Sequence, residues 1–281
     1  MRIVLNDVDP SVPPPGTGGS DVVDDATLAR LYAYPGQPWI RANMVSTLDG
    51  AATGPDGRTG SINNEPDFRV FTLLRALADA VVVGAGTARA EGYGRPRPPR
   101  GDRADLREGR AAAPALVVVS RSASVPSTVA APAEHEGAGE VLLVTCEAAG
   151  GAAVAAARDT LGDDQVLVLG QGEVDLVALR EELMARGLGR VLTEGGPRLL
   201  RDLVAAGVVD EICLTVVPHV IGGDHPRILT GQSVTAELHP RLLLEEGGTL
   251  LGRWTRSAAQ TGSARGGSGS AISSTVEQPP R

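Results

Sequence analysis

The chain has 281 residues, 42% of them hydrophobic, enough for a substantial buried core, and its 2% aromatic content leaves that core to Val, Leu, Ala and Ile. All 26 Lys/Arg positions are arginine, so neither a lysine Schiff base nor a phosphate-loop lysine is available to the chemistry. A formal net charge of −8 argues against non-specific nucleic-acid binding, which needs a positive surface, so an anionic ligand must meet a local arginine cluster.

In chain order, residues 1–36 read as an N-terminal arm, partly disordered because residues 10–20 combine Pro, Gly and Ser with little to bury. A folded domain is expected over 37–257 and a disordered Gly/Ser-rich tail over 258–281. A basic segment followed by an apolar one is missing at the start, and no apolar stretch approaches the ~18 residues of a membrane span, so a cytoplasmic protein with no membrane partner is expected. Short apolar runs predict strands at 39–46, 80–84, 115–120, 141–145, 166–169, 190–193, 211–217, 241–245 and 249–256. The last two flank Gly247-Gly248 and predict an antiparallel hairpin. Helices are predicted at 65–78, with Asn64 as N-cap and Pro66 in the first turn; at 175–186, closed by Gly187; and at 197–206, closed by Gly207. Residues 95–110, mixing Pro, Gly and alternating charge, read as a long surface loop. The pattern is that of an α/β protein with a mixed, mostly parallel sheet flanked by helices. Cys146 and Cys213 lie in apolar runs and read as buried thiols rather than a disulfide.

Three segments carry chemical signals. Residues 191–200 (VLTEGGPRLL) run from a strand through Glu194, Gly195 and Gly196 into a helix started by Pro197, a geometry in which exposed amides and the helix dipole attract phosphate. An ordinary strand-to-helix turn fits the same spacing. Residues 80–89 (AVVVGAGTAR) begin like a dinucleotide fingerprint, but Arg89 takes the third glycine position and the glycines and prolines that follow forbid a long helix. What remains is a strand leading to a glycine loop in which Thr87 is either a ligand contact or part of a turn. Asp49-Gly50 ends the 39–46 strand, where Asp49 either orients a substrate or makes a turn. Arg75 follows Phe71 and Phe68 on one helix face and either lays its stem over them or clamps a phosphate with its fork of donors. The four histidines are scattered without metal-ligand spacing, so no metal site is expected, and a Gly-x-Ser-x-Gly elbow is lacking.

Taken in order, MVSTLDG (44–50), LRALADA (74–80), GAGT (84–87), TEGGP (193–197), residues 203–211, and Pro218 with Gly222-Gly223 resemble the reductase domain of the riboflavin-biosynthesis deaminase-reductases, the RibD C-terminal domain, and its stand-alone relatives. The resemblance covers residues 37–257. It implies a dihydrofolate-reductase-like fold, a homodimer, and NADPH-dependent reduction of a 5-amino-6-ribosylaminopyrimidine 5′-phosphate to the ribitylamino product. Hydride would pass to C1′ of the ring-opened imine form of the sugar. By position, Val45, Thr87, Ser120, Gly195, Gly196, Pro197, Arg198, Leu199 and Leu200 are implied as cofactor contacts. Asp49, Arg75 and Glu194 fall on the substrate side, with Arg75 on the 5′-phosphate. The zinc signature of the deaminase half is not found here, Glu91 stands where an Asp is common, and Arg95-Pro96-Arg97-Pro98-Pro99-Arg100 departs from the pattern. The departures keep two other readings open: a same-fold reductase of a pterin or dihydrofolate, and an NADPH-binding module without catalysis.

Overall fold

Ten strands and eight α-helices run through residues 1–12 and 22–256, the part of the chain that the computed structural model describes. The first half comprises β1 (Arg2–Asn6), α1 (Asp25–Leu31), β2 (Trp39–Thr47), α2 (Glu65–Leu77), β3 (Ala80–Gly84), α3 (Ala85–Ala90), α4 (Asp102–Asp105), β4 (Ala115–Val119) and α5 (Ser127–Ala130). The second comprises β5 (Val141–Thr145), α6 (Gly151–Leu161), β6 (Val166–Val168), α7 (Leu176–Ala185), β7 (Arg190–Thr193), α8 (Pro197–Ala205), β8 (Glu211–Val217), β9 (Leu238–Glu246) and β10 (Thr249–Arg256).

One sheet holds all ten strands in the order β1-β9-β10-β8-β2-β7-β3-β4-β5-β6. From β8 to β6 the pairings are parallel; β10, β9 and β1 extend the sheet antiparallel, with the expected hairpin turning at Gly247-Gly248. Parallel strands are covered on both faces, and side chains that alternate along them feed two cores. Val81, Val83, Leu116, Val118, Val141 and Leu143 pack with α1, α2, α3 and α6, while Val82, Val117, Leu142 and Val144 pack with α7 and α8. The predicted helix starts are seen as built caps: Asn64 accepts from the Asp67 amide, and Asp175 from the amides of Val177 and Ala178.

Several boundaries differ from the sequence expectation. Arg2–Asn6, assigned to an arm outside the domain, is the edge strand of the sheet, pairing antiparallel with β9 between Leu242 and Glu245. α1, also assigned to the arm, is capped by Asp24 and buries Leu28 and Leu31. Its C-terminal carbonyls explain why it docks: Arg253 donates to Leu31 O, and Arg41 donates to Tyr32 O (2.7 Å). Both guanidinium groups are buried and pair with the fully buried Glu211 at 2.8 Å. The expected loop at 95–110 contains α4, and its Arg107 and Arg110 turn inward to bond the last carbonyls of α2 at Ala76, Leu77 and Ala78. The expected tail at 258–281 and residues 13–21 of the arm lie outside the described residues. Both cysteines are buried free thiols, as expected. Among the described residues no helix is long and apolar enough to cross a membrane.

Candidate active site

The parallel strands end on a common side, where an open α/β sheet places its ligands. Gly84 closes β3, Ser120 follows β4 and Glu194 follows β7, and all three line one cleft of about 2490 Å³ that runs across the strand ends. A drug-sized ligand fills ~300–1,000 Å³, so the cleft has room for two ligands side by side. α2 forms one wall, presenting Asp67, Phe71 and Arg75 at a spacing of four residues, the repeat that stacks side chains on one helix face.

Arg75 and Glu194, singled out separately in the sequence, are partners. Arg75 donates through Nε to Glu194 Oε1 and through Nη2 to Oε2, both at 2.7 Å, the bidentate geometry of a guanidinium on a carboxylate. Tyr93 completes the cluster by donating its hydroxyl to Glu194 Oε2 at 2.6 Å. The guanidinium lies over the rings of Phe71 at 4.3 Å and Tyr93 at 5.4 Å. Glu194 is 3% exposed against 35% for Arg75, so the carboxylate sits behind and the guanidinium faces the cleft. Burial, reinforced by the Glu194 charge, pushes the Tyr93 phenol well above its ordinary value and keeps it a hydrogen-bond donor. Arg75 therefore neither waves its head in water nor stands as a free phosphate clamp: two of its N–H groups are held by Glu194, a further one bonds the Tyr93 hydroxyl, and the rest face the cleft.

A second end of the cleft is built from backbone. α8 has Gly196 as N-cap with no side chain bonding its first amides, and Gly196, Pro197, Arg198 and Leu199 line the cleft there. Gly195 adopts φ 83° and its carbonyl accepts from the Gly84 amide at 2.8 Å, which ties the turn to β3. Glycine at 196 leaves room for Thr87, whose Oγ1 would stand 2.2 Å from a Cβ there and would have to turn away. Thr87 thus lines the cleft directly against this turn, at the start of the six-residue α3 that replaces the long helix of a dinucleotide fingerprint. Ser120, with its hydroxyl accepting from the Ser124 amide, and Val45 also line the cleft. Arg198 is exposed and has no carboxylate partner among the described residues.

Three residues read from the sequence as site residues lie apart from the cleft lining. Leu200 is fully buried in the core under α8, because successive helix residues rotate by about 100° and only one face meets the ligand space; Gly195, ahead of the helix, is buried with its carbonyl turned to the Gly84 amide, and neither lines the cleft. Asp49 is also outside the cleft lining. Its carboxylate accepts from the Thr47 hydroxyl and from the amides of Ile221 (3.0 Å) and Gly222 (2.6 Å). These bonds, that of Thr47 first, hold its carboxyl at about 2. Asp49 thereby latches the β2 end to the Gly222-Gly223 loop.

The family model described as the RibD C-terminal domain matches residues 38–250. The chain belongs to that family. Among curated members of similar sequence, an Archaeoglobus fulgidus protein described as 2,5-diamino-6-ribosylamino-4(3H)-pyrimidinone 5′-phosphate reductase is 32% identical over 205 residues, covering 70% of this chain and 88% of its own. A solved structure of a pyrimidine reductase-like protein from Corynebacterium diphtheriae aligns with a TM-score of 0.68 at 28% identity, covering 79% of this chain and 92% of the other. A Thermotoga maritima structure, described as a diaminohydroxyphosphoribosylaminopyrimidine deaminase/5-amino-6-(5-phosphoribosylamino)uracil reductase, shares the fold at 19% identity and a TM-score of 0.55. The match covers 78% of this chain and 57% of that longer one.

Two residues of this RibD C-terminal domain site escape a reading of the sequence. Tyr93 sits among glycines and prolines, with nothing local to connect it to Glu194, 101 positions away. Asp67 looks like an ordinary first-turn acid of α2, yet it is 2% exposed and part of the cleft wall.

Proposed function

We propose that the protein is an NADPH-dependent reductase that converts a 5-amino-6-ribosylaminopyrimidine 5′-phosphate to its ribitylamino product. The observation that carries the reading is a single cleft that joins an uncapped, glycine-fronted helix N-terminus to the Arg75–Glu194–Tyr93 cluster. The first suits the phosphates of a dinucleotide, since free amides and a helix dipole converge there beside Arg198. The second suits a polyhydroxylated phosphate ester, which needs fixed donors and acceptors rather than a nucleophile.

The residues present fit the cofactor: Val45, Thr87, Ser120, Gly196, Arg198 and Leu199 all border the space in which it would lie. Bound there, NADPH would supply the hydride that reduces C1′ of the opened sugar. The protein's own part is positional. Glu194 and Tyr93 hold the Arg75 fork in one orientation, so its outward N–H groups reach the sugar-phosphate without a search through rotamers. Asp49, whose carboxyl is held low by the Thr47 hydroxyl and the 221–222 amides, would serve here by holding that backbone in place. The same reading keeps a homodimer and a cytoplasmic address as expectations, the latter supported by two free buried thiols.

The experiment is the loss of NADPH absorbance on mixing the purified protein with the ribosylaminopyrimidine phosphate, run beside dihydrofolate. Turnover of the phosphate ester is expected. Turnover of dihydrofolate alone moves the substrate assignment to a pterin, and NADPH binding without turnover of either reduces the protein to a binding module.

A further inference from the structure

Asp67 stands apart from the Arg75 cluster in both place and chemistry. Two turns of α2 separate it from Arg75, about 12 Å along the axis. A first-turn acid that only answers the helix dipole sits in water; Asp67 is 2% exposed, in the wall of the cleft. No arginine pairs with it among the described residues, and its one side-chain hydrogen-bonding neighbour is the buried Thr215 of β8. Burial lifts its carboxyl to about 6, so at neutral pH a carboxylate stands in the wall with one hydroxyl as its side-chain partner. A carboxylate accepts at both oxygens, so one hydroxyl leaves room for donors carried by a ligand in the cleft.

We propose that Asp67 reads the 2-position of the pyrimidine, accepting hydrogen bonds from a 2-amino group and the adjacent ring N–H, and so selects the 2-amino-4-oxopyrimidine substrate over its 2-oxo, uracil-type counterpart. The proposal rests on the reductase reading above. The two candidate rings differ at one edge. In the 2,5-diamino-6-ribosylamino-4(3H)-pyrimidinone the N3–H and the 2-amino group are two parallel donors, the complement of a carboxylate. In the uracil the same edge is a donor flanked by two carbonyl acceptors, so one carboxylate oxygen would face a lone pair. The helix sets the register: with the sugar-phosphate on Arg75, the ring end of an extended substrate lies toward Asp67, past the flat surface of Phe71. A site built to satisfy donors discriminates strongly against a ligand that lacks them, by about 100-fold or more.

The test compares the two phosphates, 2,5-diamino-6-ribosylamino-4(3H)-pyrimidinone and 5-amino-6-ribosylaminouracil, by calorimetric titration without cofactor and by kcat/KM with NADPH. Wild type is expected to favour the diamino compound by about 100-fold in both readouts. Asp67→Asn replaces one acceptor by a donor and should erase most of that preference, with the loss falling on the diamino compound and the uracil binding unchanged or better. NADPH affinity should not move. Wild type that treats both phosphates alike, within about threefold, overturns the proposal while leaving the reductase reading intact, as does an Asp67→Asn protein that loses both equally. Should that variant not fold, the wild-type ratio still decides. Reduction of neither phosphate by wild type overturns the reductase reading, and the proposal with it.

Discussion

Replacing Glu211 by Gln should destabilise the fold by about 3–5 kcal/mol, the usual result of removing one member of a buried ionic cluster. Two buried guanidiniums, Arg41 and Arg253, converge on this one carboxylate, and all three side chains are at most 3% exposed. Glutamine keeps the shape and one acceptor oxygen but removes the negative charge and turns the second oxygen into a donor facing the guanidiniums, leaving two buried cations with neutral acceptors alone. An independent route gives a similar size. Burial opposes ionisation of Glu211, but Arg41 and Arg253 outweigh it and hold the carboxyl at about 2, against an ordinary 4.5. A depression of that size corresponds to about 3 kcal/mol of stability at neutral pH. Because the folded-state value is depressed, this stability is complete above the ordinary value and is lost as the pH falls toward 2. Urea unfolding at pH 7 should show the loss, and melting should fall by roughly 6–20 °C for a domain of this size. The gap between wild type and variant should hold from pH 5 to 8 and close below about 4.5. Trp39→Phe, which removes one neutral donor to Glu211 at 3.1 Å, should cost only about 1 kcal/mol. A Gln variant within about 1 kcal/mol of wild type, or a gap that persists unchanged into acid, would refute the assignment of the cluster as the tie that docks α1.

Two further predictions concern the cleft and a third the latch beside it. Arg75→Ala should lower kcat/KM by about 100-fold or more, since it both removes the donors that face the substrate and leaves Glu194 buried without its cation; steady-state kinetics beside a melting curve separates this from unfolding. Gly196→Ala puts a methyl where the Thr87 hydroxyl now sits and turns that hydroxyl out of place beside the α8 N-terminus, so NADPH affinity, read by fluorescence titration, should weaken by about tenfold while the substrate KM changes little. Asp49→Asn should leave the shape of the pH–rate profile above pH 5 unchanged, because the native carboxylate is already ionised there. It should instead loosen residues 218–223, seen as faster limited proteolysis.

Much of the sheet is legible before any coordinates, because its central strands are continuous Val/Leu runs and three of its helices announce themselves through Asn64, Asp175 and Pro197. α6 is not, being Ala-rich and begun by Gly150 without a side-chain cap. β1 is five residues long and finds its identity only by pairing with a strand at the opposite end of the sequence. In the site, sequence points to Arg75 and Glu194 but assigns each its own contact with substrate. Their mutual pairing spans 119 positions and follows from where α2 and β7 come to lie. The run through Leu200 shows the limit of reading a motif as a block: a loop entering a helix turns each residue in a new direction, and only the structure says which way the cleft lies.

The edge strand also bears on how the chain reaches this state. Arg2 and Glu245, joined across β1 and β9, are 243 positions apart, and the cap on α1 likewise waits for Arg253. Closing so long a segment carries a large entropic cost before any contact rewards it. During synthesis, then, β1 emerges long before its partner and pairs only after the hairpin of β9 and β10 has left the ribosome. The parallel strands around the cleft can be in place while β1 and α1 are still undocked, so the seam between β1 and β9 at one edge of the sheet is where assembly finishes and where opening begins.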